Sequence, residues 1–289
     1  MNAVLVLTAA GPLGDDLVAA ARAALTSPDA PRRLAPEAVE IPFTGALAPA
    51  AEAARAALGA APVDANALPA EGRRKRLLIS DMDSTIIPVE CIDEIAAAAG
   101  IGPRVAAITE RAMRGELDFE GALRERVGLL AGFPEARLEA VYAERVTLNP
   151  GAAALIGAMN DLGALTLLVS GGFDFFTARV AKAAGFARHQ ANRLLVEGGR
   201  LTGGVAEPIL GRAAKLAALE AAAAEIGATP AEAVALGDGA NDLDMIRAAG
   251  LGIAWRAKPA VAAAAGARLD HADLTAALRL QGIPAPGFG

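Results

Sequence analysis

Cysteine is almost missing from this chain. Cys91 stands alone, which excludes an internal disulfide, and with only two histidines, His189 and His271, no Cys/His zinc cluster can be assembled. Such thiol usage fits a reducing compartment, so a cytoplasmic protein is expected. Positive charge is also in deficit. Lys and Arg number 27 against 33 Asp and Glu, and the resulting net charge of -6 repels a phosphate backbone, so no nucleic acid partner is expected. Long apolar runs are lacking too. The longest stretch without a charge, Val146 to Asn160, falls short of the roughly 18–20 residues a spanning helix needs, and alanine accounts for the positive mean hydropathy. No membrane partner is expected. The apolar start, Met1 to Gly11, carries no Lys or Arg before Asp15, so no secretory leader is expected.

What is present suffices for a real core: 289 residues, 54% hydrophobic, enough for one large domain or two smaller ones. Val4 to Leu7 reads as a strand, Asp15 to Leu25 as an amphipathic helix, Glu37 to Ile41 as a strand and Ala50 to Leu58 as a helix. Ala60 to Arg74, with Pro62, Asn66, Pro69 and Gly72, reads as a linker, which places a boundary near residue 72. The basic run Arg73 to Arg76 reads as a solvated linker end with no role of its own. Buried-type strands follow at Leu77–Ile79, Leu165–Val169 and Ala233–Leu236, alternating with helices, which predicts a doubly wound parallel α/β sheet. Two stretches interrupt the alternation. Glu90 to Glu144 shows helical spacing throughout, an inserted helical segment, and Gly198-Gly199 between two short β-prone runs predicts a hairpin over Asn192 to Gly204.

The chemistry sits at the strand ends. Asp81-Met82-Asp83 closes the first strand; two carboxylates there serve as helix caps and turn formers, or they enter the ligand crevice, where crowded anions call for a cation. Oxygen-only donors suit Mg²⁺. Ser170-Gly171-Gly172 closes the second strand and offers a hydroxyl and free backbone N–H groups to a phosphate. Gly237-Asp238-Gly239-Ala240-Asn241-Asp242 closes the third with two more carboxylates and an amide. Lys215, on the helix between, taken alone reads as a surface lysine.

In this order, Asp81-x-Asp83-x-Thr85, Ser170, Lys215 and Gly237-Asp238-Gly239-x-Asn241-Asp242 resemble the four motifs of haloacid dehalogenase-superfamily phosphatases. The resemblance runs from residue 76 to about 275. With Glu90-Cys91-Ile92-Asp93-Glu94 and Leu123-Arg124-Glu125-Arg126-Val127 it narrows to the phosphoserine phosphatase family. It implies residues 73–289 as a phosphatase domain with a helical cap over about 90–145, and residues 1–72 as a small amino-terminal α+β domain similar in size to an amino-acid-binding βαββαβ module. Whether that module senses a ligand or only supports packing stays open, as only two clear strands are found where four are expected.

The resemblance further implies Asp81 as the nucleophile that forms an aspartyl-phosphate, Asp83 as general acid and then base, and Ser170, Gly171, Lys215 and Asn241 around the phosphate. Mg²⁺ would be held by Asp81, the Asp83 backbone carbonyl and Asp238, with Asp242 one layer out. Glu90 and Arg126 match the positions that take the ammonium and carboxylate of phosphoserine; by spacing alone they read as a helix-surface pair. Phe119 and Met113 match apolar cap positions, while Cys91 and both histidines read as structural. The implied partner is a small phosphorylated amino acid, in a monomer or a homodimer. The motifs leave hydrolysis and phosphoryl transfer to another small alcohol undivided.

Overall fold

The computed structural model describes residues 2–114 and 116–288. The first third alternates as β1 (Asn2–Ala9), α1 (Asp15–Ala23), β2 (Arg32–Ala35), β3 (Ala38–Thr44), α2 (Leu47–Leu58) and β4 (Val63–Pro69). The four strands form an antiparallel sheet in the order β2-β3-β1-β4. β1 is buried along nearly its whole length because both faces are covered. Leu5 and Leu7 pack with Val18 and Ala54 of α1 and α2, while Val4 and Val6 join Leu68 in the main core of the molecule. A strand covered on both faces reads as a continuous apolar run rather than an alternating one.

β4 corrects the linker reading of Ala60 to Arg74. It pairs with β1 from Ala9↔Val63 to Ala3↔Pro69. Its turn-forming residues are there for another reason: Asp64 and Asn66 are buried and bond the backbone of residues 268–272, so polarity in this strand marks a junction and not solvent. The basic run is corrected in part, for Arg74 and Arg76 are exposed as expected. Arg73 is mostly buried and pairs with Glu40 at 2.7 Å, Lys75 Nζ donates to the carbonyls of Gly72 and Ala231, and Arg76 pairs with Glu232. Arg73 thus ties the connecting segment to β3, while Lys75 and Arg76 tie it to the turn before the strand that begins at Ala233.

The second part comprises β5 (Leu77–Ser80), the helices α3 (Cys91–Ala98), α4 (Gly102–Met113), α5 (Phe119–Gly128) and α6 (Arg137–Arg145), then α7 (Ala152–Asp161), β6 (Leu165–Phe173), α8 (Asp174–Ala184) and β7 (Arg188–Asn192). A hairpin of β8 (Leu194–Glu197) and β9 (Arg200–Val205) leads to α9 (Arg212–Glu225), β10 (Ala233–Gly237), α10 (Leu243–Ala248), β11 (Leu251–Trp255), α11 (Pro259–Ala264), β12 (Ala267–Leu269) and α12 (Ala276–Leu280). Six parallel strands lie in the order β12-β11-β10-β5-β6-β7. Leu78 packs with Ile156 and Val180 of α7 and α8 on one face, and Leu77 and Ile79 with Leu219 and Ala223 of α9 on the other, so the sheet is doubly wound. The chain leaves β5 toward β6 and returns on the other side at β10. That reversal opens a crevice beyond the carboxyl ends of β5 and β10.

The inserted segment is helical, α3 to α6, as its spacing predicts. The hairpin forms as expected, with Gly198 and Gly199 at φ 56° and 73°, the positive values a two-residue turn requires. It is docked on the cap: the Leu201 carbonyl accepts from Gly132 N at 2.8 Å and Glu135 N donates to Gly199 O at 2.9 Å. Thr229 to Glu232 forms a capping box with Pro230 in its first turn and opens β10, as its pattern predicts.

Candidate active site

The short loop after β5 carries Asp81 and Asp83 into the crevice. Ile86 and Ile87 are fully buried below it, and Asn149 ties it down by donating from Nδ2 to Thr85 O at 2.8 Å and from its backbone N to Ile86 O. Asp81 Oδ1 accepts from Met82 N at 2.8 Å. Lys215, in the first turn of α9, is fully buried and not solvated. Its Nζ lies 2.7 Å from Asp81 Oδ1 and 2.6 Å from Asp242 Oδ1. Burial presses this ammonium toward the neutral form, but Asp81 and Asp242 outweigh it and hold the pKa above the ordinary lysine value. Asp81 is pushed well up, by burial and then by Asp242, with Lys215 opposing.

Asp83 faces the other way. Its Oδ1 accepts from Cys91 N at 2.9 Å and its Oδ2 from Ser170 Oγ at 3.1 Å. Ser170 Oγ in turn accepts from Gly172 N at 2.8 Å. A Cβ on Gly172 would sit 2.7 Å from Asp83 Oδ2, so glycine is what lets this carboxyl come so close. Burial, then the charge of Glu90, raises the Asp83 carboxyl to about 6, against the Cys91 and Ser170 hydrogen bonds. Cys91 is a buried thiol with its pKa pushed up by burial and then by Asp83, which makes it a small apolar side chain at neutral pH.

Carboxylate oxygens of Asp81, Asp238 and Asp242 come within 4.8 Å of one another. Asp242 is held by Lys215 and by Gly239 N at 3.0 Å, and Asp238 is reached by Thr85 Oγ1 at 3.5 Å. Asp238 is lifted to about 6 by burial, then by Asp242 and Glu90, with Lys258 and Lys215 opposing. Three crowded acids, two of them raised, form an oxygen-only donor set that a hard divalent cation of magnesium's kind fits. The Asp83 carboxylate is turned away from this cluster.

A cavity of about 510 Å³ joins these groups to the cap. Asp81, Asp83, Ser170, Gly171, Asp238 and Asn241 line its floor; Glu90 and Arg126 line its roof. Phe119 closes one side. Its ring lies so near Gly171 that a Cβ there would be 2.9 Å from Cζ. Arg126 donates from Nε to Ala122 O at 3.2 Å; burial lowers its pKa while Asp93, then Glu90, work against that. Every candidate residue named from the sequence lines this cavity except Lys215 and Asp242, which are fully buried against Asp81 and form no part of its lining, and Met113, whose side chain lies outside the described residues. The histidines stay out: His189 is exposed beside Thr177, and His271 is exposed, with its backbone N bonded to Asp64.

The sequence reading missed Lys258, Arg212 and Asp93, all lining the cavity. Arg212 is engaged by Asp244, whereas Lys258 follows β11, a strand not identified from the sequence. Recognition of that strand would have placed Lys258 at a carboxyl end beside Asp238, whose carbonyl accepts from Lys258 N.

The chain is similar to known proteins in sequence and fold. Residues 78–247 match the haloacid dehalogenase-like hydrolase family. A phosphoserine phosphatase from Albidiferax ferrireducens is 46% identical over 210 residues, which span 71% of this chain and 89% of that one. A crystal structure of a HAD family hydrolase from Salmonella enterica serovar Typhi superposes with a TM-score of 0.87 at 29% identity, covering 96% of this chain and 98% of that one. A structure described as a phospho-aspartyl intermediate analogue of phosphoserine phosphatase is 40% identical, with a TM-score of 0.66, over 71% of this chain and 98% of its own. Among the described residues no helix is long and apolar enough to cross a membrane.

Proposed function

The chain belongs to the haloacid dehalogenase-like hydrolases, in the company of the phosphoserine phosphatases, and from that membership we propose that it hydrolyses O-phospho-L-serine to L-serine and phosphate. The reading is carried by one observation: a single cavity has Asp81, Asp83, Ser170 and Asp238 on its floor and the acid-base pair Glu90 and Arg126 on its roof. Asp81 attacks phosphorus and the serine oxygen departs, leaving an aspartyl-phosphate. A carboxyl raised to about 6 is protonated often enough near neutrality to give its proton to that oxygen; Asp83 and Asp238 are both so raised, and of the two Asp83 is the one that stays outside the cation-binding cluster. The same carboxylate then takes a proton from the water that attacks the aspartyl-phosphate and restores Asp81. Ser170, Lys215, the Gly171 N–H and Asn241 hold the non-bridging oxygens.

The family implies Mg²⁺, and the oxygen-only cluster fits it. Asp81 and Asp238 would hold it with the Asp83 backbone carbonyl, and Asp242 would position the site through Lys215 and Gly239 N. What Mg²⁺ supplies when bound is neutralisation of charge at the phosphate and among the carboxylates. At the roof, the planar guanidinium of Arg126 takes the substrate carboxylate and Glu90 its ammonium. Residues 1–72 serve as a supporting α+β domain for the phosphatase domain over 73–289, and the enzyme completes serine synthesis in the cytoplasm.

The test is phosphate release with Mg²⁺ from L-phosphoserine beside phosphoethanolamine, which keeps the ammonium and lacks the carboxylate. Loss of a desolvated charged contact costs on the order of 2–5 kcal/mol, so phosphoserine is expected to be favoured by at least about tenfold. Equal rates would discard the substrate while leaving the phosphatase chemistry. No release from either would replace hydrolysis with transfer to another alcohol.

A further inference from the structure

Ser84 lies between the acid Asp83 and the buried Thr85, and its backbone is left-handed, with φ 55°. A residue with a Cβ is uncommon there and costs about 1 kcal/mol, a burden glycine would remove. The hydroxyl is spoken for: Ser84 Oγ donates to Glu90 Oε1 at 2.7 Å, and Ser84 N reaches Val89 O at 3.4 Å. Glu90 stands at the N-terminal boundary of α3, the first helix of the cap, and its side chain makes no capping bond to that helix. One residue earlier on the loop and one later on the cap, Asp83 Oδ1 accepts from Cys91 N. Consecutive residues of the catalytic loop therefore grip consecutive residues of the cap, one through a carboxylate and the other through a hydroxyl.

We propose that Ser84 is a positioning residue that fixes the Glu90 carboxylate for the substrate ammonium, so that recognition at the roof of the cavity is registered against the reacting groups on its floor. This rests on the assignment of Glu90 to the ammonium made above. The hydroxyl occupies Oε1 with a charge-assisted bond and leaves Oε2 for the substrate. It also removes torsional freedom that Glu90, at the entrance of the cap and in contact with solvent, would otherwise lose on binding. The left-handed backbone aims the hydroxyl across the loop, and the buried Ile86 and Ile87 with the Asn149 bonds hold that conformation in place.

The experiment compares wild type, Ser84→Ala, Ser84→Gly, Glu90→Gln and the Ser84→Ala/Glu90→Gln double variant on phosphoserine, phosphoethanolamine and p-nitrophenyl phosphate, which has neither ammonium nor carboxylate. Both Ser84 variants are expected to lower kcat/KM for the two ammonium substrates about three- to tenfold relative to p-nitrophenyl phosphate, chiefly through KM. Ser84→Gly should do so while unfolding at the same or a higher temperature, which separates the hydroxyl from loop stability. On the Glu90→Gln background the Ser84→Ala effect should vanish to within about twofold. An equal fall on all three substrates, or a loss that adds to that of Glu90→Gln, would overturn the proposal and leave Ser84 a structural residue. If Glu90→Gln itself leaves the ammonium preference intact, the assignment of Glu90 fails and the positioning role falls with it.

Discussion

Replacing Asp238 by Asn separates the cost of crowding acids in the crevice from the benefit of the Mg²⁺ proposed to bind among them. In the fold Asp238 titrates near 6, raised by burial and by the negative charges of Asp242 and Glu90. Its ordinary value is 3.8, and at 1.36 kcal/mol per unit the shift of about two units sets a ceiling near 3 kcal/mol. Partial exposure of the side chain reduces that to about 1–2 kcal/mol. Because the folded pKa lies above the unfolded one, the native state binds this proton more tightly. The stability it contributes is complete below about pH 4 and is lost as pH climbs through 6. Asparagine keeps an oxygen for Thr85 and never ionises. With chelator present, Asp238→Asn should match wild type near pH 4 and exceed it at pH 8 by about 1–2 kcal/mol, at about 2–4 °C of Tm per kcal/mol. With Mg²⁺ the order should invert, because the intact ligand set gains about 2.7 kcal/mol at a hundredfold excess over Kd. Thermal unfolding across pH, with and without chelator, reads both arms. A variant less stable than wild type at pH 8 in chelator, or a gap that ignores pH, would refute the electrostatic account of the cluster.

Two further outcomes are expected. Asp81→Asn removes the oxygen proposed to attack phosphorus but keeps the shape of the floor, so phosphate release should fall by at least about a thousandfold while calorimetry still detects phosphoserine binding; turnover within about tenfold of wild type would sink the nucleophile assignment. Asp64 accepts from the backbone N–H groups of Asp270, His271 and Ala272 at 2.8–3.3 Å across the junction of the two sheets, so Asp64→Ala should lower unfolding stability by about 1–3 kcal/mol in urea. An unmoved midpoint would mean that the junction does not hold the two parts together.

Much of the phosphatase half is legible in the chain because its signals are local. An apolar run followed at once by Asp81-Met82-Asp83, Ser170-Gly171 or Gly237-Asp238 names both a strand and what stands at its end, and parallel strands deliver such ends to one edge. The helical spacing of Glu90 to Glu144 likewise carries its own evidence of a separate layer. Other elements are misread where a residue answers to something far away in sequence. Asp64 and Asn66 look like turn formers until residues 268–272 supply the N–H and C=O groups they bond. Arg73 looks solvated until Glu40, 33 residues earlier, closes on it. Lys258 looks like any lysine before a proline, since the strand that delivers it is short and contains Gly252 and Ala254 among its apolar residues.

The sequence by itself determined the doubly wound sheet, the inserted cap and the identity of the acids, because hydrophobic periodicity and the spacing of residues along one strand end act over a few positions. Only the tertiary structure decided which acids converge, that Lys215 is locked between Asp81 and Asp242, that Asp83 turns to Ser170 and Cys91, and that Ser84 reaches Glu90. Those are electrostatic and hydrogen-bonding relations whose strength depends on distance and burial, and both are set by the packing of the sheet, its helices and the cap against one another.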